Sequence, residues 1–178
     1  PVSFARIFDT ATEVIKSGGK RRGAMMGILN IDHPDIKEFI TAKSKEGVLK
    51  NFNLSVGVTD KFMRDVNKNE YYWLINPRNN KKIEKVNAKK IFDLITENAL
   101  LHGDPGLIFL DEINRKNPTP NLGKIVSTNP CSEQPLLPYE SCVLGSINLN
   151  KIFNEEKQDI DWNKLKSIIK LAVRFLDN

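Results

Sequence analysis

Ser127-Thr-Asn-Pro-Cys-Ser-Glu-Gln-Pro-Leu-Leu-Pro-Tyr-Glu-Ser-Cys-Val-Leu-Gly-Ser-Ile-Asn-Leu149 contains both cysteines of the chain, Cys131 and Cys142. Asn129 and Glu133 stand two residues either side of the first. Pro130, Pro135 and Pro138 each remove a backbone donor and oppose helix, so the run is expected to form a stiff, irregular loop. In an extended segment, residues two apart point the same way. That spacing predicts that Asn129, Cys131 and Glu133 offer an amide, a thiol and a carboxyl to one small volume. Val143 to Leu149 then reads as a strand.

Working upstream, Gly106–Leu110 reads as a buried strand that delivers Asp111-Glu-Ile-Asn-Arg115 at its C-terminal end, the usual place for functional side chains in an α/β protein. Asp111 and Glu112 are adjacent, and adjacent residues on a strand face opposite ways. A helix-starting turn is therefore expected there in preference to an acid/base or metal pair. Asn87 caps a helix with the stripe Ile91, Leu94, Ile95 and Ala99, which ends at Gly103. Tyr71–Ile75 and Lys82–Val86 flank the turn Asn76-Pro-Arg-Asn-Asn80 and predict a half-buried hairpin, which explains Tyr71, Tyr72 and Trp73 without base stacking.

Phe52–Val58 reads as a strand, followed by a helix from Lys61 to about Val66 capped by Thr59-Asp60. The Asn53-Leu-Ser55 pattern matches a glycosylation acceptor and is expected to be incidental. His33 precedes a short helix from about Pro34 and is expected to serve a turn or cap; His102 has the same reading at a helix end. With two histidines in unrelated contexts, no His/Cys metal site is expected. Ala24–Asn30 reads as a buried strand, preceded by a helix capped at Ser3 with the stripe Phe4, Ile7, Phe8, Ala11 and Val14. Downstream, Asp161 caps a final helix with Trp162, Leu165, Ile168, Ile169, Ala172 and Phe175 along its apolar face. Helices and strands thus alternate through most of the chain, which predicts an α/β protein.

Gly18-Gly19 ends the first helix, and Lys16-Ser-Gly-Gly-Lys-Arg-Arg-Gly-Ala24 leaves two readings open. One is a helix cap followed by a solvated basic turn. The other is a loop whose exposed N–H groups and arginine forks hold a phosphate or a base edge.

The 178 residues suffice for one domain by length alone, and 40% hydrophobic with 28% charged residues is an ordinary globular balance. No apolar run approaches the ~20 residues of a membrane span, so no membrane partner is expected. The net charge of +5 owes much to Lys81–Lys90, expected to be a solvated face and not a nucleic-acid site. Two cysteines without a leader predict a reducing, cytoplasmic setting and thiol chemistry over a disulfide framework. Beginning at Pro1 and stopping after an amphipathic pattern, residues 1–178 are expected to be an internal piece of a longer protein.

The Asn129-Pro-Cys-Ser-Glu133 run followed by Pro135-Leu-Leu-Pro-Tyr-Glu-Ser-Cys142 resembles the active-site finger loop of ribonucleotide reductases, in the form of the class II, adenosylcobalamin-dependent branch. The resemblance runs nearly end to end. It implies a central fragment of a ten-stranded α/β barrel with a finger loop at about 127–142 and a specificity loop at about 16–24. It further implies that Cys131 is the thiyl-radical residue, that Glu133 and Asn129 act on the ribose hydroxyls, and that Cys142 is one of two reducing thiols. The other thiol is expected outside this chain. Lys16, Ser17, Gly18, Gly19, Lys20 and Arg21 would belong to the effector-reading specificity loop, where Ser17 replaces the family's usual Gln. Ser132 stands where family members often carry Gly.

The implied partners are a ribonucleotide, expected as the diphosphate, a deoxynucleotide or ATP effector, a dithiol reductant such as thioredoxin, and a second copy in a homodimeric parent. A class I catalytic subunit fed by a second, metal-containing subunit remains an alternative. So does a non-catalytic nucleotide-binding domain.

Overall fold

A computed structural model describes residues 1–15, 19–20 and 22–177. They form two compact units, Pro1–Tyr139 and Glu140–Asn178.

The first unit is built on a three-stranded parallel sheet. Strands β1 (Met25–Asn30), β2 (Phe52–Val58) and β5 (Gly106–Phe109) lie in the order β1-β2-β5, with β2 central. The register aligns Met25 with Phe52 and Ser55 with Gly106. Among the described residues the sheet does not close into a barrel. The connection from β1 to β2 carries helix α2 (Ile36–Ile40); that from β2 to β5 carries α3 (Asp60–Asn67), an antiparallel hairpin β3 (Tyr71–Ile75) and β4 (Lys82–Asn87), and α4 (Ala88–His102).

Successive side chains on a strand alternate between faces. On β2, Phe52, Leu54, Val56 and Val58 join Ile36, Phe39, Ile40, Phe62, Ile91 and Ile95 in the principal core. Asn53, Ser55 and Gly57 therefore belong to the other face, beside their register partners Met26, Ile28 and Asn30 on β1.

Local chemistry sets the element ends much as the sequence predicts. The Thr59 side chain accepts the Phe62 N–H, and the Asn87 side chain accepts that of Lys90. Helix α4 stops at Gly103, whose φ of 78° lies in the left-handed region that glycine adopts without steric cost. His33 Nδ1 accepts the Asp35 N–H, the expected turn role. Tyr72 is buried, packs edge-on against Phe62 at 5.3 Å and donates its hydroxyl to the Ile31 carbonyl. Trp73 lies under Lys82 and Lys85, and both lysines are exposed, consistent with a solvated basic face.

Three expectations are corrected. Helix α1 spans Val2–Val14, with Pro1 and not Ser3 at its N-cap, and its apolar stripe is exposed: Phe4 is 70% and Ile7 64% accessible. The helix is held instead by its polar edge. Asp9 accepts the backbone and side-chain N–H groups of Asn51, and Glu13 pairs with Lys50, which holds the Glu13 carboxyl below the usual range. Gly23 lies close to this helix, and a Cβ there would meet the Thr12 side-chain methyl at 2.7 Å, so the threonine would have to shift.

The second correction concerns residues 143–149, which form no strand. No neighbouring backbone pairs with them among the described residues, and a ladder needs a partner. The third concerns the last helix, α6 (Trp162–Asp177). The Asp161 cap is present, its carboxylate accepting the Lys164 N–H, but Trp162 and Phe175 are exposed. Leu165, Ile168, Ala172 and Leu176 form its half-buried line. This second unit also holds a 3-10 turn (Leu149–Lys151) and a small hairpin of β8 (Phe153–Asn154) and β9 (Asp159–Ile160).

Candidate functional site

Strand β5 runs directly into helix α5 (Leu110–Arg115), so Asp111 and Glu112 lie in its first turn. Asp111 accepts the Asp60 N–H, and Glu112 pairs with Arg115 and Lys116. Arg115 bridges Asp60 and Glu112; Asp60 chiefly raises the guanidinium pKa, and Arg115 chiefly lowers that of the Glu112 carboxyl. These groups are committed to one another, as the helix-starting reading expects.

Asn114, in the last turn of α5, begins the loop that leads to Cys131. Its Nδ2 donates to the Leu110 and Ile125 carbonyls, and its Oδ1 accepts the Ile125 N–H at 2.9 Å. One turn on, Asn117 donates to the Gly123 carbonyl. The chain entering the loop is thereby fixed by two side-chain amides.

From there the chain forms a short antiparallel hairpin. Strand β6 (Ser127–Thr128) pairs with β7 (Pro135–Leu136), aligning Ser127 with Leu136 and Thr128 with Pro135. Val126 adds a bond to the Leu136 carbonyl, and β6 packs beside β1. Thr128 and Leu137 are buried, so the base of the hairpin is anchored while its tip, residues 129–134, projects.

The tip carries Asn129, Cys131 and Glu133, but as a turn and not the extended segment expected from their spacing. The Asn129 carbonyl accepts the Ser132 N–H at 3.0 Å, with Pro130 at the position where its fixed φ suits a turn. Asn129 and Gln134 close the loop reciprocally. The Asn129 N–H donates to the Gln134 carbonyl at 3.1 Å, and the Gln134 N–H donates to Asn129 Oδ1 at 3.0 Å. Ser132 has φ 68°, in the region that favours glycine. Strict alternation of faces therefore does not apply between 129 and 133; the three residues share one turn at the hairpin tip.

Cys131 and Glu133 are exposed, whereas Asn129 is half-buried with its amide oxygen engaged by Gln134. Asn53 on β2 donates its side-chain amide to the Pro130 carbonyl, linking the sheet to the tip. Sequence reasoning missed Asn53, Asn114 and Gln134. Asn53 lies within the Asn-x-Ser match dismissed as incidental, and its one signal is a polar residue interrupting an otherwise buried strand.

Cys142 belongs to the second unit and is exposed; both cysteines are free thiols. In the basic loop, Gly19 and Lys20 form an exposed turn, and Gly19 has φ 72°. Lys16, Ser17, Gly18 and Arg21 lie outside the described residues. Among the described residues no group of three or more His, Cys, Asp or Glu side chains is arranged to hold a metal ion, and no helix is long and apolar enough to cross a membrane.

Comparison with known proteins extends this geometry. Residues 1–178 match the family model for the ribonucleotide reductase barrel domain. A vitamin B12-dependent ribonucleoside-diphosphate reductase of Thermoplasma acidophilum is 58% identical over 179 residues, covering 100% of this chain and 23% of that protein. The enzyme of the same name from Mycobacterium tuberculosis is 51% identical, covering 100% of this chain and 26% of that protein. A vitamin B12-dependent ribonucleotide reductase of Streptomyces avermitilis is 34% identical over 204 residues, covering 99% and 21%. The chain thus spans about a quarter of the length of the curated relatives it matches. With the whole chain matched and the thiol-bearing hairpin formed against its parallel sheet, the protein belongs to the ribonucleotide reductase family.

Proposed function

We propose that this chain is the finger-bearing part of an adenosylcobalamin-dependent reductase that converts ribonucleoside diphosphates to deoxyribonucleoside diphosphates. In this reading the parent completes a ten-stranded barrel, of which β1, β2 and β5 supply three strands, and residues 127–142 are its finger. The observation that carries it is Cys131, exposed at the apex of an anchored hairpin between Asn129 and Glu133. Relatives named for vitamin B12 and for diphosphate substrates support the cofactor and the substrate.

Replacing a ribose hydroxyl by hydrogen is difficult because hydroxide leaves poorly from an unactivated carbon. A thiyl radical on Cys131 removes the hydrogen from C3′, forming S–H and leaving a carbon radical beside an oxygen. S–H and such C–H bonds have similar strengths, so the step is reversible. Glu133 takes the 3′-hydroxyl proton, which requires approach to about 2.6–3.2 Å. Asn129, its Oδ1 held by Gln134, has its NH2 group to donate to a ribose hydroxyl oxygen.

Water departs from C2′ with one proton from the thiol pair of Cys142 and a second cysteine outside this chain. The pair's other hydrogen goes to C2′, and Glu133 returns its proton to O3′ as the pair's remaining electron restores the radical at C3′. That pair supplies two electrons and becomes a disulfide, which needs Cα atoms about 4.4–6.8 Å apart. Cys131 then returns its hydrogen to C3′ and is again a radical. An external dithiol restores the pair. The basic loop at 16–24 would read an effector nucleotide in the homodimeric parent.

Adenosylcobalamin, when bound, supplies the initiating radical by homolysis of its cobalt–carbon bond. The exposed Cys131 thiol fits that demand, because a sulfur enclosed on all sides could not exchange a hydrogen with a cofactor and then with a sugar.

The test is turnover by the full-length protein with a ribonucleoside diphosphate, adenosylcobalamin and a dithiol, without any second subunit. Deoxyribonucleoside diphosphate is expected. Turnover that depends instead on a separate metal-containing subunit would replace this reading with the class I one.

A further inference from the structure

On β2, the exposed Asn53 falls between the buried Phe52 and Leu54, on the face away from the principal core. Its amide donates to the carbonyl of Pro130, 77 positions on in the chain. The acceptor matters as much as the donor. The Pro130 carbonyl and the Cys131 N–H belong to one planar peptide group, so holding that oxygen fixes the orientation of the bond leading into the Cys131 Cα. The donor sits on a strand that is central in its sheet and paired to β1 along its length, with Met26 opposite Asn53. The bonds from Ser132 to Asn129 and between Asn129 and Gln134 lie inside the tip, and those from the Thr128 hydroxyl to the Asn129 carbonyl and from Gln134 to the Pro135 carbonyl lie within the same hairpin. Asn53 ties the tip to the sheet.

We infer that Asn53 is a positioning residue for the Cys131 sulfur, setting its place relative to the sheet through the Pro130–Cys131 peptide. The inference rests on the radical role proposed for Cys131. Its expected signature is a loss in the chemical step with little change in substrate binding, since a misplacement of about 1 Å can cost on the order of 100-fold in rate. Asn53→Asp keeps the shape but replaces the donor with a carboxylate that repels the carbonyl; Asn53→Ala removes the contact.

In the full-length enzyme, both variants are expected to lower kcat at least about tenfold while KM for the ribonucleotide stays within about twofold, the pattern of an interaction realised beyond substrate binding. Iodoacetamide labelling followed by peptide mass analysis adds a readout that general loosening would not give. In Asn53→Ala the Cys131 labelling rate is expected to change several-fold while that of Cys142 does not. Wild-type kcat in both variants would overturn the inference, as would a kcat loss in which Cys131 and Cys142 labelling change together. Cys131→Ala separates the two readings. If that variant still turns over, the radical role itself fails; if it is inactive while both Asn53 variants match wild type, the positioning role alone fails.

Discussion

Asn114 and Ile125 are joined like neighbouring strands, except that one partner is a side chain: Asn114 Nδ2 donates to the Ile125 carbonyl at 3.0 Å and Asn114 Oδ1 accepts the Ile125 N–H at 2.9 Å. Ile125 is itself buried, so its backbone groups depend on this amide for partners away from water. Replacement by alanine removes both bonds and leaves a donor and an acceptor unpaired. Asn114→Ala is expected to cost about 1–3 kcal/mol. Urea unfolding of the full-length protein checks it, and Asn114→Asp, which keeps the acceptor but loses the donor, should fall between.

The backbone at Ser132 makes a second prediction. At φ 68° a serine is strained and a glycine is not. Ser132→Gly should be neutral or stabilising by up to about 1 kcal/mol with turnover retained. Ser132→Val should lose stability and activity, because a β-branched residue is a genuine outlier at positive φ. Parallel thermal melts and turnover assays compare the two.

Tyr72 links folding to alkaline pH. Burial pushes its phenol above the usual tyrosine range, with Asp32 and Glu84 adding to the rise. The folded state therefore keeps its proton after an unfolded tyrosine has lost one. The resulting stabilisation is complete below the unfolded value of about 10 and is lost as pH rises through the folded value. Tyr72→Phe removes the hydroxyl bond to Ile31, costing about 1 kcal/mol at neutral pH, and should flatten the stability decline above about pH 10. Urea midpoints at a series of pH values measure both effects.

The reducing role proposed for Cys142, distinct from the radical role proposed for Cys131, predicts a phenotype of its own. In Cys142→Ala the pair has lost one thiol and cannot supply its two electrons, so no deoxynucleotide is expected even in a single turnover. Multiple turnover with thioredoxin or dithiothreitol should fall to background while nucleotide binding persists. Wild-type turnover with either reductant would move the reducing pair elsewhere.

The elements legible in the sequence are those fixed by local chemistry. The Thr59 and Asn87 caps, the Gly103 stop and the β3–β4 hairpin each follow from residues within a few positions. Expectations fail where long-range context decides. The stripe and the Ser3 cap say nothing of how α1 is held, which Asp9 and Glu13 do through Asn51 and Lys50, some 40 positions away. Alternation predicts an extended segment through Asn129, Cys131 and Glu133, whereas in the structure they lie on a turn closed by Gln134. The tie from Asn53 to Pro130 has no sequence signature beyond a polar residue in a buried strand, because it joins segments 77 positions apart.

The most direct test of the account is Cys131→Ala in the full-length enzyme, with equilibrium nucleotide binding and deoxynucleotide formation measured on the same preparation. Wild-type affinity is expected, with deoxynucleotide formation reduced to background. Deoxynucleotide formation near the wild-type rate would contradict it, since another atom would then have to remove the ribose hydrogen.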